Sequence, residues 1–326
     1  MSSGQSSCID PGCVRLRLTI ASGRISAVSV VSERPAVAQA LRGRPADAAV
    51  RLVPLLFALC GKAQGRAAEL ALAAARGGEC ALHLDAAIQA EVMREHLWRW
   101  LLDLPPLLGE APLQTEFVAA AGWIAAGQRA ELATLLDDPR IEALCRRLAT
   151  VADAADPGLR GLPPLDAQAS LALWPQFDAG FCRTPHWQGQ AAETGALARR
   201  QGRAGPGAGA FGARWLARLE ELRDWAAGIE KVGAGGTASA VQTAAARGRA
   251  LVETARGLLM HEIALDGERI ADYLIVAPTE WNFHPQGPLA GWLIGRDASD
   301  REAVQGFAGY AVAALDPCVR WELDWL

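Results

Sequence analysis

The sequence predicts an α+β protein, mainly helical with small β-hairpins, and three observations carry that prediction. Segments of alternating polarity meet at short turns near both ends of the chain, alanine- and leucine-rich runs fill the middle, and Pro/Gly clusters punctuate them. At 326 residues, 51% hydrophobic and 21% charged, the chain can bury an ordinary core and lies far from the composition of disordered proteins. Length alone permits one domain or two. The pattern is read as one, over residues 1–326, with a β element about 13–31, a helical body about 50–256 and a C-terminal β and motif region about 257–326.

In chain order, Val14 to Ile20 and Arg24 to Val31 alternate around Ala21-Ser22-Gly23, which predicts a hairpin. Arg51 to Ala75 is apolar almost throughout and predicts a buried helix bent near Gly61 or Gly65. Helices are expected over Ala86 to Leu102 and Leu113 to Leu136, separated by Pro105-Pro106, and another from Asp138-Pro139 to about Val151. Asp156 to Pro164 and Gly202 to Gly212 read as loops bracketing an irregular segment from Leu171 to Arg199. Helices are then expected near Phe211 to Glu230 and, from alanine content, Ala238 to Arg256. Leu258 to Leu265 and Arg269 to Ala277 flank Asp266-Gly267, a hairpin signal.

Composition excludes several functions. A formal charge of -4 with scattered Lys and Arg gives no footprint for nucleic acid. Met1 to Cys13 lacks a basic segment and an apolar stretch behind it, and runs such as Leu52 to Cys60 are too short to span a bilayer, so no membrane partner and a cytoplasmic location are expected. Seven cysteines in a chain of this size favour reduced thiols over a disulfide framework. Cys80, Cys145 and Cys182 read as small buried hydrophobes. Cys8 and Cys13 form a conceivable metal pair, but no second Cys or His pair stands at a zinc spacing. The histidines show no metal spacing; His261 and His284 are the two nearest the motifs below. Of eleven tryptophans, Trp281, Trp292, Trp321 and Trp325 gather near the C-terminus, either as core or as a docking surface.

Four segments, in order, carry a resemblance. Leu59-Cys60-Gly61-Lys62-Ala63 matches an Arg-x-Cys-Gly-x-Cys motif with Ala63 in place of the second cysteine. Pro185 to Arg199 matches a segment ending Glu-Val-Gly-Pro-Leu-Ala-Arg. Glu253-Thr254-Ala255-Arg256-Gly257, running on to Ala277-Pro278-Thr279-Glu280-Trp281-Asn282, matches a Glu-Ala-Pro-Arg-Gly strand and a Val-Pro-Thr-Thr-Trp-Asn turn. Asp316-Pro317-Cys318-Val319-Arg320-Trp321-Glu322-Leu323-Asp324 matches Asp-Pro-Cys-x-x-Cys-x-x-His, with Trp321 and Asp324 at the last two positions. Together they resemble the [NiFe]-hydrogenase large subunit, which implies a trimmed version of that fold.

In that family two Cys-x-x-Cys pairs give four thiolates to a nickel and iron centre. Here one thiol per pair survives, and two cannot build the nickel environment. Ala63 has no ligand atom and Trp321 offers only an N–H and bulk beside the metal, so hydrogen turnover and nickel are not expected, and no catalytic residue is assigned. The resemblance does retain the residues around the iron's cyanides, Arg256, Thr279 and Pro278, suited to hydrogen-bonding an anionic nitrogen. On residue chemistry alone the lesser alternative is that Arg256 makes an ion pair with a carboxylate such as Glu253 and that Thr279 caps a turn. Arg256→Ala is expected to weaken retention of iron without unfolding the chain. The family's Glu-Gly-His gate falls on Pro11-Gly12-Cys13, with Asp10 as the nearest carboxylate, and Leu326 follows Asp324 by two residues, which implies a chain outside the tail-cleavage route of large-subunit precursors.

These features are similar to the HupK/HoxV group of hydrogenase expression and formation proteins. The resemblance implies a non-catalytic scaffold that holds Fe(CN)2(CO) transiently, with Cys60 and Cys318 as ligands. The fragment would come from the maturation proteins that assemble it and pass to the hydrogenase large-subunit precursor. The alternative is a metal-free scaffold or chaperone for hydrogenase subunits or maturation factors.

Overall fold

The computed structural model describes residues 12–34, 37–57, 59–151, 160–202, 209–229 and 235–326. Its first element is the hairpin that alternation predicts, β1 (Cys13–Ala21) and β2 (Arg24–Glu33), paired antiparallel. Ser22 and Gly23 both take positive φ, 52° and 75°, the backbone whose twist matches a two-residue hairpin turn. Val14, Leu16 and Leu18 face the core from β1.

The apolar run expected as one bent helix is broken into two, Ala46–Leu56 and Gly61–Ala75. The second folds back on the first so tightly that a Cβ on Gly61 would lie 2.9 Å from the Pro54 carbonyl oxygen. That break leaves Cys60 at the N-terminus of the Gly61–Ala75 helix. A short strand that the sequence reading missed, β3 (Cys80–Leu84), follows. Asp85 then caps the Ala86–Trp98 helix by accepting N–H bonds from Ala87 and Ile88. A π-helical turn, Arg99–Asp103, and the Pro105-Pro106 turn end that run. The segment expected as one helix over 113–136 splits into Gln114–Ala126 and Arg129–Leu136, because Gly127 adopts a left-handed C-cap. Pro139–Leu148 starts on an Asp138 cap as expected, residues 171–199 hold only short helical turns, and Ala210–Ala226 forms a buried helix.

The expected helix over Ala238 to Arg256 is wrong: the segment is a hairpin, β4 (Thr237–Ala244) and β5 (Arg247–Thr254). Its small residues serve close packing rather than helix propensity. A Cβ on Gly248 would lie 2.2 Å from the Ala75 nitrogen and 2.5 Å from the Ala71 oxygen, so the Gly61–Ala75 helix rests its backbone directly on β5. The hairpin predicted around Asp266-Gly267 is present as β6 (Gly257–Asp266) and β7 (Arg269–Val276). The second β element is therefore larger than expected, an antiparallel sheet in the order β3-β4-β5-β6-β7.

After the Pro278–Asn282 turn comes an unforeseen helix, Arg301–Leu315, capped by Asp300, and then β8 (Arg320–Trp325). β8 lies parallel to β1 from Cys13↔Arg320 to Leu18↔Trp325, giving a second sheet ordered β2-β1-β8. One continuous apolar cluster joins both sheets and the helices, with a smaller one around Trp174, Phe177, Phe181 and Trp281. Among the described residues no helix is long and apolar enough to cross a membrane.

Candidate functional site

Two breaks in regular structure deliver the two motif cysteines. Cys60 is the N-cap residue of the Gly61–Ala75 helix, where unpaired N–H groups and the helix dipole favour negative charge. Two of those N–H groups, from Lys62 and Ala63, are already taken by the buried Glu91 carboxylate at 2.9 and 3.1 Å. Burial, and next the neighbouring Cys318 thiol, push the Cys60 thiol up to about 12; Arg256 opposes them. At neutral pH Cys60 thus holds its proton, and a metal that binds it must displace that proton.

Cys318 follows Asp316, whose left-handed backbone (φ 56°) ends the Arg301–Leu315 helix and turns the chain toward β8. The Cys318 sulfur accepts a 2.9 Å hydrogen bond from Arg34 Nη2 and lies 3.3 Å from Thr279 Oγ1. Thr279 sits in the turn begun by the buried Pro278, whose fixed φ suits a first helical position. Arg34 is held by Glu280, 2.7 Å from its Nε, and Glu280 also accepts from Ser32 Oγ and the Ala277 N–H. Burial alone would lower the Arg34 pKa; Glu280 and Cys318 outweigh it and hold the guanidinium charged.

Arg256 stands behind the thiols, 4% exposed. Its Nη2 donates to Glu95 Oε2 at 3.2 Å, and its Nε lies 3.2 Å from Asp316 Oδ1. The carboxylate weighed from sequence as its partner, Glu253, instead pairs with Arg199 at 2.9 Å. Burial pushes Asp316 up, but Arg256, Arg99 and Arg218 together bring it down to about 2. Both thiols act electrostatically on Arg34 and on Arg256, so the two cysteines and the two guanidiniums lie near one another.

The remaining motif positions lead elsewhere. Ala63 is fully buried in its helix. Trp321, expected to crowd the metal, packs toward Gly309 of the Arg301–Leu315 helix, its ring 3.7 Å from where a Cβ there would lie. Asp324 joins Arg15 and Arg17 in half-exposed ion pairs. Trp281 and Trp292 are core residues, while Trp321 and Trp325 pack half-buried against the core. Cys80, Cys145 and Cys182, read as buried, are half-buried. Cys13 is buried in β1; Cys8 and Asp10 lie outside the described residues. His284 accepts the Gln286 N–H, and His261 bonds Gln64 and Tyr273.

Sequence reasoning missed Arg34, Gln64, Glu91 and Glu95. Gln64 follows Cys60 by four residues in a helical run, and Glu91 and Glu95 are an i,i+4 pair on one helix face, both readable spacings. Arg34, at the end of β2, left no local signal.

The fold is of the hydrogenase large-subunit class. The nickel-dependent hydrogenase family matches residues 213–319. Solved NiFeSe hydrogenases share the fold: that of Desulfovibrio vulgaris Hildenborough in its reduced state (TM-score 0.56, 17% identity, 92% of this chain and 94% of that one) and that of Desulfomicrobium baculatum (0.56, 14%, 92% and 95%). Full-length relatives are more similar still in sequence. The hydrogenase expression/formation protein HoxV of Cupriavidus necator is 33% identical, covering 94% of this chain and 95% of its own, and HupK of Azotobacter vinelandii is 33% identical over 96% and 98%. HupK of Rhizobium leguminosarum bv. viciae is 31% identical over 96% of each. This chain belongs to the HoxV/HupK family of hydrogenase expression/formation proteins.

Proposed function

We propose that this protein is a non-catalytic carrier in hydrogenase maturation, holding Fe(CN)2(CO) as cargo on Cys60 and Cys318 before it passes to the hydrogenase large-subunit precursor. The observation that carries this reading is the meeting of the two motif cysteines, 258 residues apart in sequence, near the half-buried Arg34 and the buried Arg256 guanidiniums, with Cys318 accepting a 2.9 Å hydrogen bond from Arg34. Soft thiolates suit low-spin iron, and guanidinium and hydroxyl donors suit anionic cyanide nitrogens. A dicyano, monocarbonyl iron(II) on two thiolates carries two negative charges, and Arg34 and Arg256 are the cations beside it. With Ala63 and Trp321 at the other motif positions, two sulfurs are too few for a four-thiolate nickel site. Work in the cytoplasm, beside the proteins that assemble the fragment, belongs to the same reading.

Infrared spectra and metal analysis of anaerobically purified protein test it. Cyanide and carbon monoxide bands with iron and no nickel are expected. Metal-free protein that still captures hydrogenase subunits overturns the carrier reading in favour of an interaction scaffold, and nickel with hydrogen uptake overturns it in favour of an enzyme.

A further inference from the structure

Behind Cys60 runs a buried chain of side chains that none of the motif matches explains. Gln64 lies one turn along from Cys60, its backbone N–H bonded to the Cys60 carbonyl at 2.9 Å, so both side chains share a helix face. Its Nε2 points at the Cys60 sulfur, 3.8 Å away, and its Oε1 meets His261 Nε2 at 2.9 Å. The other ring nitrogen, His261 Nδ1, is 2.8 Å from the Tyr273 hydroxyl. Gln64, His261 and Tyr273 are each no more than 1% exposed. Register explains the meeting: Ile263 stands opposite Tyr273, so His261, two residues along β6, is its diagonal neighbour on the same face, under the helix that carries Gln64.

Hydrogen-bond chemistry gives this chain a direction. Burial holds His261 near pKa 3, so its ring is neutral and carries one N–H. Among the described residues the Tyr273 hydroxyl has His261 as its hydrogen-bond partner, and its proton is satisfied only by pointing into Nδ1. Nε2 then carries the ring proton and donates to the Gln64 carboxamide oxygen. The amide N–H is thereby turned toward sulfur. In the reverse direction the tyrosine proton is buried without an acceptor and the amide oxygen faces the sulfur.

We propose that Tyr273, His261 and Gln64 form a positioning relay that aims an amide N–H at the sulfur of a metal-ligating Cys60 and so draws electron density from the iron it holds. The relay rests on the reading of Cys60 as a cargo ligand and adds a tuning role that the motif residues do not supply. Hydrogen bonds to a ligating sulfur weaken its donation to the metal and, through the metal, back-donation into bound carbon monoxide.

Two measurements decide it. In metal-free protein labelled with 15N-histidine, His261 is expected as the neutral Nε2–H tautomer from about pH 8 to about pH 5; an Nδ1–H tautomer or an imidazolium overturns the relay. In iron-loaded protein, Gln64→Leu is expected to move the carbon monoxide band to lower wavenumber, and Tyr273→Phe, which keeps the ring, to move it the same way by less. A band unmoved in either variant overturns the relay, since a purely structural role leaves it in place. Wild-type protein that shows no carbon monoxide band refutes the carrier reading, and with it any tuning of iron by the relay, whichever tautomer His261 holds.

Discussion

Replacing Arg256 by alanine tests whether this residue is a support of the fold as well as a neighbour of the proposed cargo. Sequence alone led to the expectation that the variant stays folded, and the structure adds that Arg256 bridges two buried carboxylates, Glu95 and Asp316. Breaking a buried ion pair by removing one partner destabilises by about 3–5 kcal/mol. Here neither carboxylate is left wholly unpaired: Glu95 keeps Arg94 at 2.9 Å, and Asp316 keeps Arg99 at 2.7 Å. The lower end, about 3 kcal/mol, is therefore expected, which for a chain of this size is roughly a 4 °C fall in Tm. Urea unfolding of the metal-free protein should show a lower midpoint at unchanged slope. Adding Glu95→Gln to the alanine variant should restore about 1 kcal/mol, because it removes a buried charge that has lost one of its two arginine partners. The pH dependence has a definite sign. Asp316 titrates lower when folded, about 2 against an ordinary 3.8, so its contribution is present above about pH 4 and lost as pH falls toward 2. That contribution is on the order of 2 kcal/mol and should shrink in the alanine variant. A midpoint within about 0.5 kcal/mol of wild type would refute the bridging argument.

Cys318→Ser and Cys60→Ala should each abolish the cyanide and carbon monoxide bands while circular dichroism stays near wild type, since a hydroxyl or a methyl is a poor donor to soft iron; bands that persist in both variants place the iron elsewhere. Trp321→Cys should not bring nickel into the purified protein, because the position leans on Gly309 and Ala63 still lacks a sulfur; nickel at one equivalent per chain would sink this. Gly248→Val should lower stability by roughly 3 kcal/mol or more, as its side chain meets helix backbone that cannot yield; an unfolding midpoint equal to wild type would show that the helix can lift off β5.

What could be read from sequence divides along physical lines. Both predicted hairpins carried their turn chemistry locally, in Ser22-Gly23 and Asp266-Gly267, and both formed. β4 and β5 were hidden because alanine and glycine there answer to a helix lying on them, a contact made by residues about 175 positions away. The Arg301–Leu315 helix was legible and overlooked: Asp300 before a periodic apolar run is a helix-start signal. β3 and β8 are five and six residues long and pair with distant strands, which no local pattern announces. The cysteines, Arg256 and Thr279 were readable because their motifs are contiguous. Arg34 was not, because its role comes from β2 ending beside the Pro278–Asn282 turn.

The parallel pairing of β8 with β1 has a kinetic meaning. It joins residues about 307 positions apart, the kind of contact whose closure entropy makes it late in folding. Cys318 and its Arg34 contact lie at the mouth of that pairing, so the pocket takes shape as the two ends of the described chain meet. A cargo that binds only the finished pocket pulls the equilibrium toward chains in which this closure has happened, and loading would then double as a check on assembly of the carrier itself.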